Sequence, residues 1–189
     1  MTPVVLPRED YSLFGGHQWT PEGNAFYYGQ RDKKANLWKI VLHELESGDE
    51  KVIYQSKEFY NLALSPDGQF LALNIQSRTK PRVVLISTSG EEIRELCSFG
   101  KNSRTASNNS ITWSTDGNFI LFAVNNPAED NNFFELCRIP AEGGELTRLG
   151  LKAEYGFNNL STHPDGRHIT YSTFSMGKTE IWVMDNFLK

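Results

Sequence analysis

The sequence predicts an all-β fold of repeated four-stranded units, and two observations carry that prediction. The first is one phrase written four times: Trp19-Thr20-Pro21-Glu22-Gly23, Leu64-Ser65-Pro66-Asp67-Gly68, Trp113-Ser114-Thr115-Asp116-Gly117 and Thr162-His163-Pro164-Asp165-Gly166. Its closing glycines fall at 23, 68, 117 and 166, so the periods are 45, 49 and 49 residues, the length of one supersecondary unit used repeatedly. The second is the alternation after each phrase: Phe26 and Tyr28, Leu71 and Leu73, Ile120 and Phe122, Ile169 and Tyr171. Period two is a strand with one face committed to a core. No segment carries a helical period.

Each phrase reads as a tight hairpin. Proline presets the first turn angle, the acid caps the turn and glycine takes the left-handed position, so the runs on either side become antiparallel strands a and b. Strand c follows a loop of variable length, at Leu37-Trp38-Lys39-Ile40, Val83-Val84-Leu85-Ile86, Leu136-Cys137-Arg138-Ile139 and Ile181-Trp182-Val183-Met184. β-Branched and aromatic residues dominate it, as strand packing prefers. Glycine-bearing turns at Gly48, Gly90 and Gly143 lead to a more polar strand d at 51–55, 93–97 and 146–149. Four-stranded antiparallel units of this length pack face to face around an axis. The predicted fold is therefore a β-propeller of four blades spanning 1–189, with units near 11–55, 56–98, 106–149 and 155–189 and an additional N-terminal strand at 3–6.

The fourth unit stops after strand c, which leaves an edge that another strand should cover. Val4 to Leu6 is the expected cover for Ile181 to Asp185. That pairing closes the four-bladed ring within one chain, or joins two chains into a homodimer of eight blades; membership of a larger propeller is the third arrangement.

The apolar alternation around Ser65-Pro66-Asp67-Gly68, with Glu180-Ile181-Trp182-Val183-Met184-Asp185 as strand c, resembles the WD40-like propeller repeat of TolB-type proteins. The resemblance covers essentially the whole chain. Copies three and four depart from it at Thr115 and His163 but keep the acid and the glycine. It implies a non-enzymatic binding or scaffold module that recognises a protein or peptide through one loop face. The same repeat also occurs in sensor regions of bacterial signalling proteins and in propellers attached to peptidases of the prolyl oligopeptidase or tricorn type, which is the alternative.

Composition bounds the chemistry. With 39% hydrophobic and 22% charged residues the chain is of the globular class, and a net charge of -4 argues against nucleic acid as a partner. No apolar run is long enough for a membrane span, and Met1 to Pro7 is too short for a signal peptide. The expected compartment is the cytosol, or the periplasm for a piece of a longer exported chain. Cys97 and Cys137 read as small apolar residues. No Gly-x-Ser-x-Gly elbow, phosphate loop or dinucleotide fingerprint appears, so neither catalytic residues nor a cofactor are expected. His163 and His168 flank one turn and read as a solvated pair in preference to metal ligands. The segment 125–132 is rich in side-chain oxygen but lacks the spacing of a calcium loop. Trp19 and Trp113 share a register, as do Trp38 and Trp182, which points to packing between blades.

Strand order sorts the loops onto two faces. The b–c and d–a loops gather eleven bases against five acids, and the a–b and c–d turns gather twelve acids against two bases. The candidate partner contacts are Arg31, Lys33, Lys34, Arg78, Lys80, Arg82, Lys101 and Arg104, which would attract an acidic protein or peptide.

Overall fold

A computed structural model describes residues 11–90, 93–105, 110–125, 133–154, 156–175 and 178–185. The chain is a four-bladed β-propeller, and no described residue lies in a helix. Blade 1 holds β1 (Tyr11–Trp19), β2 (Ala25–Asp32), β3 (Leu37–Glu44) and β4 (Glu50–Ser56). Blade 2 holds β5 (Phe59–Leu64), β6 (Phe70–Gln76), β7 (Arg82–Ser87) and β8 (Ile93–Ser98). Blade 3 holds β9 (Ile111–Trp113), β10 (Phe119–Asn125), β11 (Phe133–Pro140) and β12 (Thr147–Glu154), and blade 4 holds β13 (Asn158–Thr162), β14 (His168–Ser175) and β15 (Lys178–Asp185). Every blade is an antiparallel meander in chain order. The expected strand at 3–6 and its pairing with β15 lie outside the described residues.

The four a–b turns are the same object. In the second, Ser65 N–H donates to Phe70 O at 2.8 Å and Gly68 N–H to Ser65 O at 2.9 Å, and the pattern recurs at Thr20, Ser114 and His163. The four glycines have φ of +70°, +72°, +73° and +67°, a region that glycine enters without a Cβ penalty. Ser65 Oγ donates to Asp67 Oδ1 at 2.6 Å and accepts Phe70 N–H at 2.9 Å. Asp67 Oδ1 also accepts Gln69 N–H at 3.0 Å. Ser114 and Asp116 repeat this cap.

Packing between blades makes the core. Tyr27, Ile40 and Ile53 of blade 1 meet Tyr60, Leu71, Leu73 and Val84 of blade 2. Ala72, Val83 and Leu85 of blade 2 meet Trp113, Ile120, Cys137 and Ile139 of blade 3. Leu121, Ala123 and Leu136 of blade 3 meet Phe157, Leu160, Ile169 and Tyr171 of blade 4. The alternation read from the sequence thus sends successive side chains to opposite neighbours, because both faces of an inner blade are covered. The turns stack as well: a Cβ on Gly68 would lie 2.8 Å from Pro21 Cδ, and one on Gly166 would lie 2.8 Å from Thr115 Oγ1. Innermost strands pack in sequence, β1 on β5, β5 on β9 and β9 on β13. Among the described residues β13 and β1 do not make the equivalent packing.

The pairing register corrects one equivalence. Trp38 lies opposite Arg31, whereas Trp182 lies opposite Tyr171. The residue of blade 1 that matches Trp182 is Val41, opposite Tyr28, because the b–c loop differs in length between units. Cys97 and Cys137 are free thiols in one core, and burial pushes their thiol pKa values up to about 11 and about 12.

Candidate functional site

Each antiparallel blade sends its b–c loop and the link to the next blade to one side of the disc, and its a–b and c–d turns to the other. Lys33, Lys34, Arg78, Lys80, Lys101 and Arg104 are exposed on the first side, while Arg31 and Arg82 are half-buried. The structure ties several of these cations to neighbours. Lys80 Nζ lies 2.8 Å from Glu95 Oε1, and Arg82 Nη2 lies 2.6 Å from Glu58 Oε2. The Lys80 hydrogen bond is the main reason that the Glu95 carboxyl is held below its usual range. Burial works against ionisation of Glu58, yet hydrogen bonds from Arg82 and Ser77 hold its pKa low. Arg31 stacks over the Trp38 ring at 4.9 Å and donates to Asn36 Oδ1, and Arg104 lies over Phe134 at 5.6 Å.

These contacts hold four of the eight cations in place, two against carboxylates and two over aromatic rings. An arginine stacked on an aromatic ring keeps its charge while losing rotamer freedom. Of the five acids expected on this side, Asp32 is held by its own loop, accepting Ala35 N–H at 2.9 Å and Lys39 Nζ at 3.0 Å. The 126–132 loop with Glu129 and Asp130 lies outside the described residues.

A second feature lies on the axis. The four innermost strands line an open cavity of about 680 Å³ that includes Gln18, Leu62, Thr112, Asn159 and Ser161. Its volume is that of a ligand-sized cleft. Sequence reasoning missed it because it forms only when four strands from distant positions converge. The available signal was the polar residues Gln18, Thr112 and Ser161 at matching places in the first strand of three units. On the turn side, His163, Asp165 and His168 bring their donor atoms within 4.8 Å of one another.

The fold can now be set beside known proteins. No curated protein sequence matches the chain. Among solved structures, TolB from Acinetobacter baumannii is similar with a TM-score of 0.72 and 17% identity over 93% of this chain and 41% of that one. A putative TolB from Agrobacterium tumefaciens gives 0.74 and 15% over 93% and 62%. An oligogalacturonate lyase in complex with manganese gives 0.72 and 13% over 99% and 54%. At these identities the likeness is one of fold, and the chain spans less than two thirds of each of those proteins. The model of the prolyl oligopeptidase N-terminal β-propeller domain matches residues 10–186. Nearly the whole chain lies inside that match, so it belongs to the prolyl oligopeptidase N-terminal β-propeller family, with a TolB-like fold.

Proposed function

We propose that this propeller is a non-catalytic binding module that takes an acidic protein or peptide segment on its b–c loop face. The observation that carries the reading is the set of exposed cations Lys33, Lys34, Arg78, Lys80, Lys101 and Arg104, held on the ends of a rigid strand scaffold. Loops on a rigid framework are where recognition is usually placed. A surface with an excess of basic groups attracts the opposite charge, and that attraction weakens as salt rises. The test is retention on an anionic matrix and binding of a Glu-rich peptide by Lys33→Gln/Lys34→Gln/Arg78→Gln against the parent chain. Weaker, less salt-dependent binding supports the reading, and unchanged binding removes it.

The family match favours a second reading, in which the propeller serves a peptidase as its gating or substrate-admitting part. Its axial cavity would then be the passage. An open reading frame continuing into a Gly-x-Ser-x-Gly segment supports this reading; a neighbouring sensor or DNA-binding segment opposes it.

A further inference from the structure

The fourth turn departs at two of the four positions where the second and third turns carry the same residue, and both departures are histidines. His163 stands where the others have Ser65 and Ser114, and His168 where they have Phe70 and Phe119. The backbone is unchanged: His163 N–H donates to His168 O at 2.8 Å and Gly166 N–H to His163 O at 3.0 Å. The new side chains converge on Asp165, whose Oδ2 lies 2.6 Å from His168 Nδ1 and 3.0 Å from His163 Nδ1. Asp165 divides its two oxygens. Oδ1 keeps the turn capped by accepting Arg167 N–H at 2.8 Å and His168 N–H at 3.2 Å, and Oδ2 is left to the imidazoles.

His163 Nδ1 accepts Asp165 N–H at 3.2 Å, so that nitrogen carries a lone pair. His168 Nδ1–H donates to Asp165 Oδ2 at 2.6 Å, and its Nε2 lies 3.4 Å from Asp185 Oδ1 at the end of β15; a cation that takes Nδ1 displaces the proton there and leaves Nε2–H facing Asp185. Two imidazole nitrogens and one carboxylate oxygen thus lie within 4.8 Å of one another, close enough for one cation to take all three. We propose that His163, Asp165 and His168 form a site for a divalent transition metal of the zinc class, with Asp185 orienting His168 from behind.

Two imidazoles and one carboxylate are the donors zinc accepts, whereas magnesium and calcium take oxygen. Tetrahedral bonds of about 2.0–2.1 Å place donor atoms roughly 3.4 Å apart. The Oδ2–Nδ1 separations of 2.6 and 3.0 Å reach that with under about 1 Å of side-chain opening. A carboxylate behind a ligating imidazole is the usual second partner of such sites. The bound ion would clip the β13–β14 turn to the end of β15 and brace the fourth blade.

The test is zinc titration of the whole chain by calorimetry and thermal unfolding, with magnesium as control, beside His163→Ser/His168→Phe. That double variant installs the side chains of the second and third turns, so it keeps a turn this chain already uses twice. The expected result is one zinc per chain with a rise in Tm, both lost in the double variant, and affinity about tenfold or more weaker in Asp185→Asn. No saturable zinc uptake, or equal uptake by the double variant, would overturn the proposal.

Discussion

Trp113 and Trp19 end the same strand at the same register, opposite Ile120 and Phe26 respectively, yet one is 5% exposed and the other 53%. The Trp113 indole crosses a blade junction and donates Nε1–H to Ala63 O at 3.0 Å, inside the core shared by blades 2 and 3. Trp19 faces outward from blade 1 and stacks on its own sheet, with Phe26 at 5.4 Å and Phe26 in turn on His43 at 5.2 Å. The outward face of blade 4 shows the counterpart, with Ile181 at 81% and Val183 at 64% exposure. These two faces are the halves of a junction that the chain builds three times inside. Whether an aromatic residue is core or surface is thus decided by the neighbouring blade, as expected where stability is a sum of unit and interface terms.

The comparison breaks most visibly at the tryptophans. Trp113→Ala should cost about 3–5 kcal/mol, the range for emptying a large aromatic site. Trp19→Ala should cost no more than about 1 kcal/mol, both read from urea unfolding midpoints. Gly68→Ala and Gly23→Ala come next. Both glycines have left-handed φ, but a Cβ on Gly23 meets nothing within 4 Å while one on Gly68 strikes Pro21. Gly23→Ala should cost about 1 kcal/mol from backbone strain alone, and Gly68→Ala at least about 1 kcal/mol more. Ser114→Ala removes a buried hydroxyl that both donates and accepts, for about 1–2 kcal/mol.

The smallest effect is in acid. The hydrogen bond from Ser65 is the first reason that Asp67 stays below its ordinary pKa. For Asp116 burial opposes ionisation, and the hydrogen bonds from Ser114 and Asn118 together outweigh it. A depressed folded pKa gives stability that is complete above the unfolded value of about 3.9 and is lost as pH falls through the folded one. Urea midpoints should therefore drop below about pH 4, and less steeply in Asp67→Asn. An unchanged slope would mean that the turn acids contribute nothing.

Much of this was legible because hairpins are local. The Ser-Pro-Asp-Gly chemistry dictates its own backbone, and four copies at a fixed period announce four blades. What was not legible came from other parts of the chain. Trp38 and Trp182 looked equivalent because loop length is invisible to periodicity, and only pairing shows Val41 in that place. The basic loops were readable, but Glu95 reaches Lys80 from β8 and Glu58 reaches Arg82 from the link between blades. The flanking histidines are plain in the sequence, but their meeting at Asp165 Oδ2 depends on side-chain directions around the turn.

Hydrogen exchange of the indole N–H groups, followed by NMR, tests most directly whether burial follows the blade junctions. The Trp113 proton should exchange only on unfolding of blades 2 and 3, and the Trp19 proton at close to the solvent rate. Equal protection of the two would show that the outward face of blade 1 is covered, and would contradict the account that the neighbouring blade decides which tryptophan is buried.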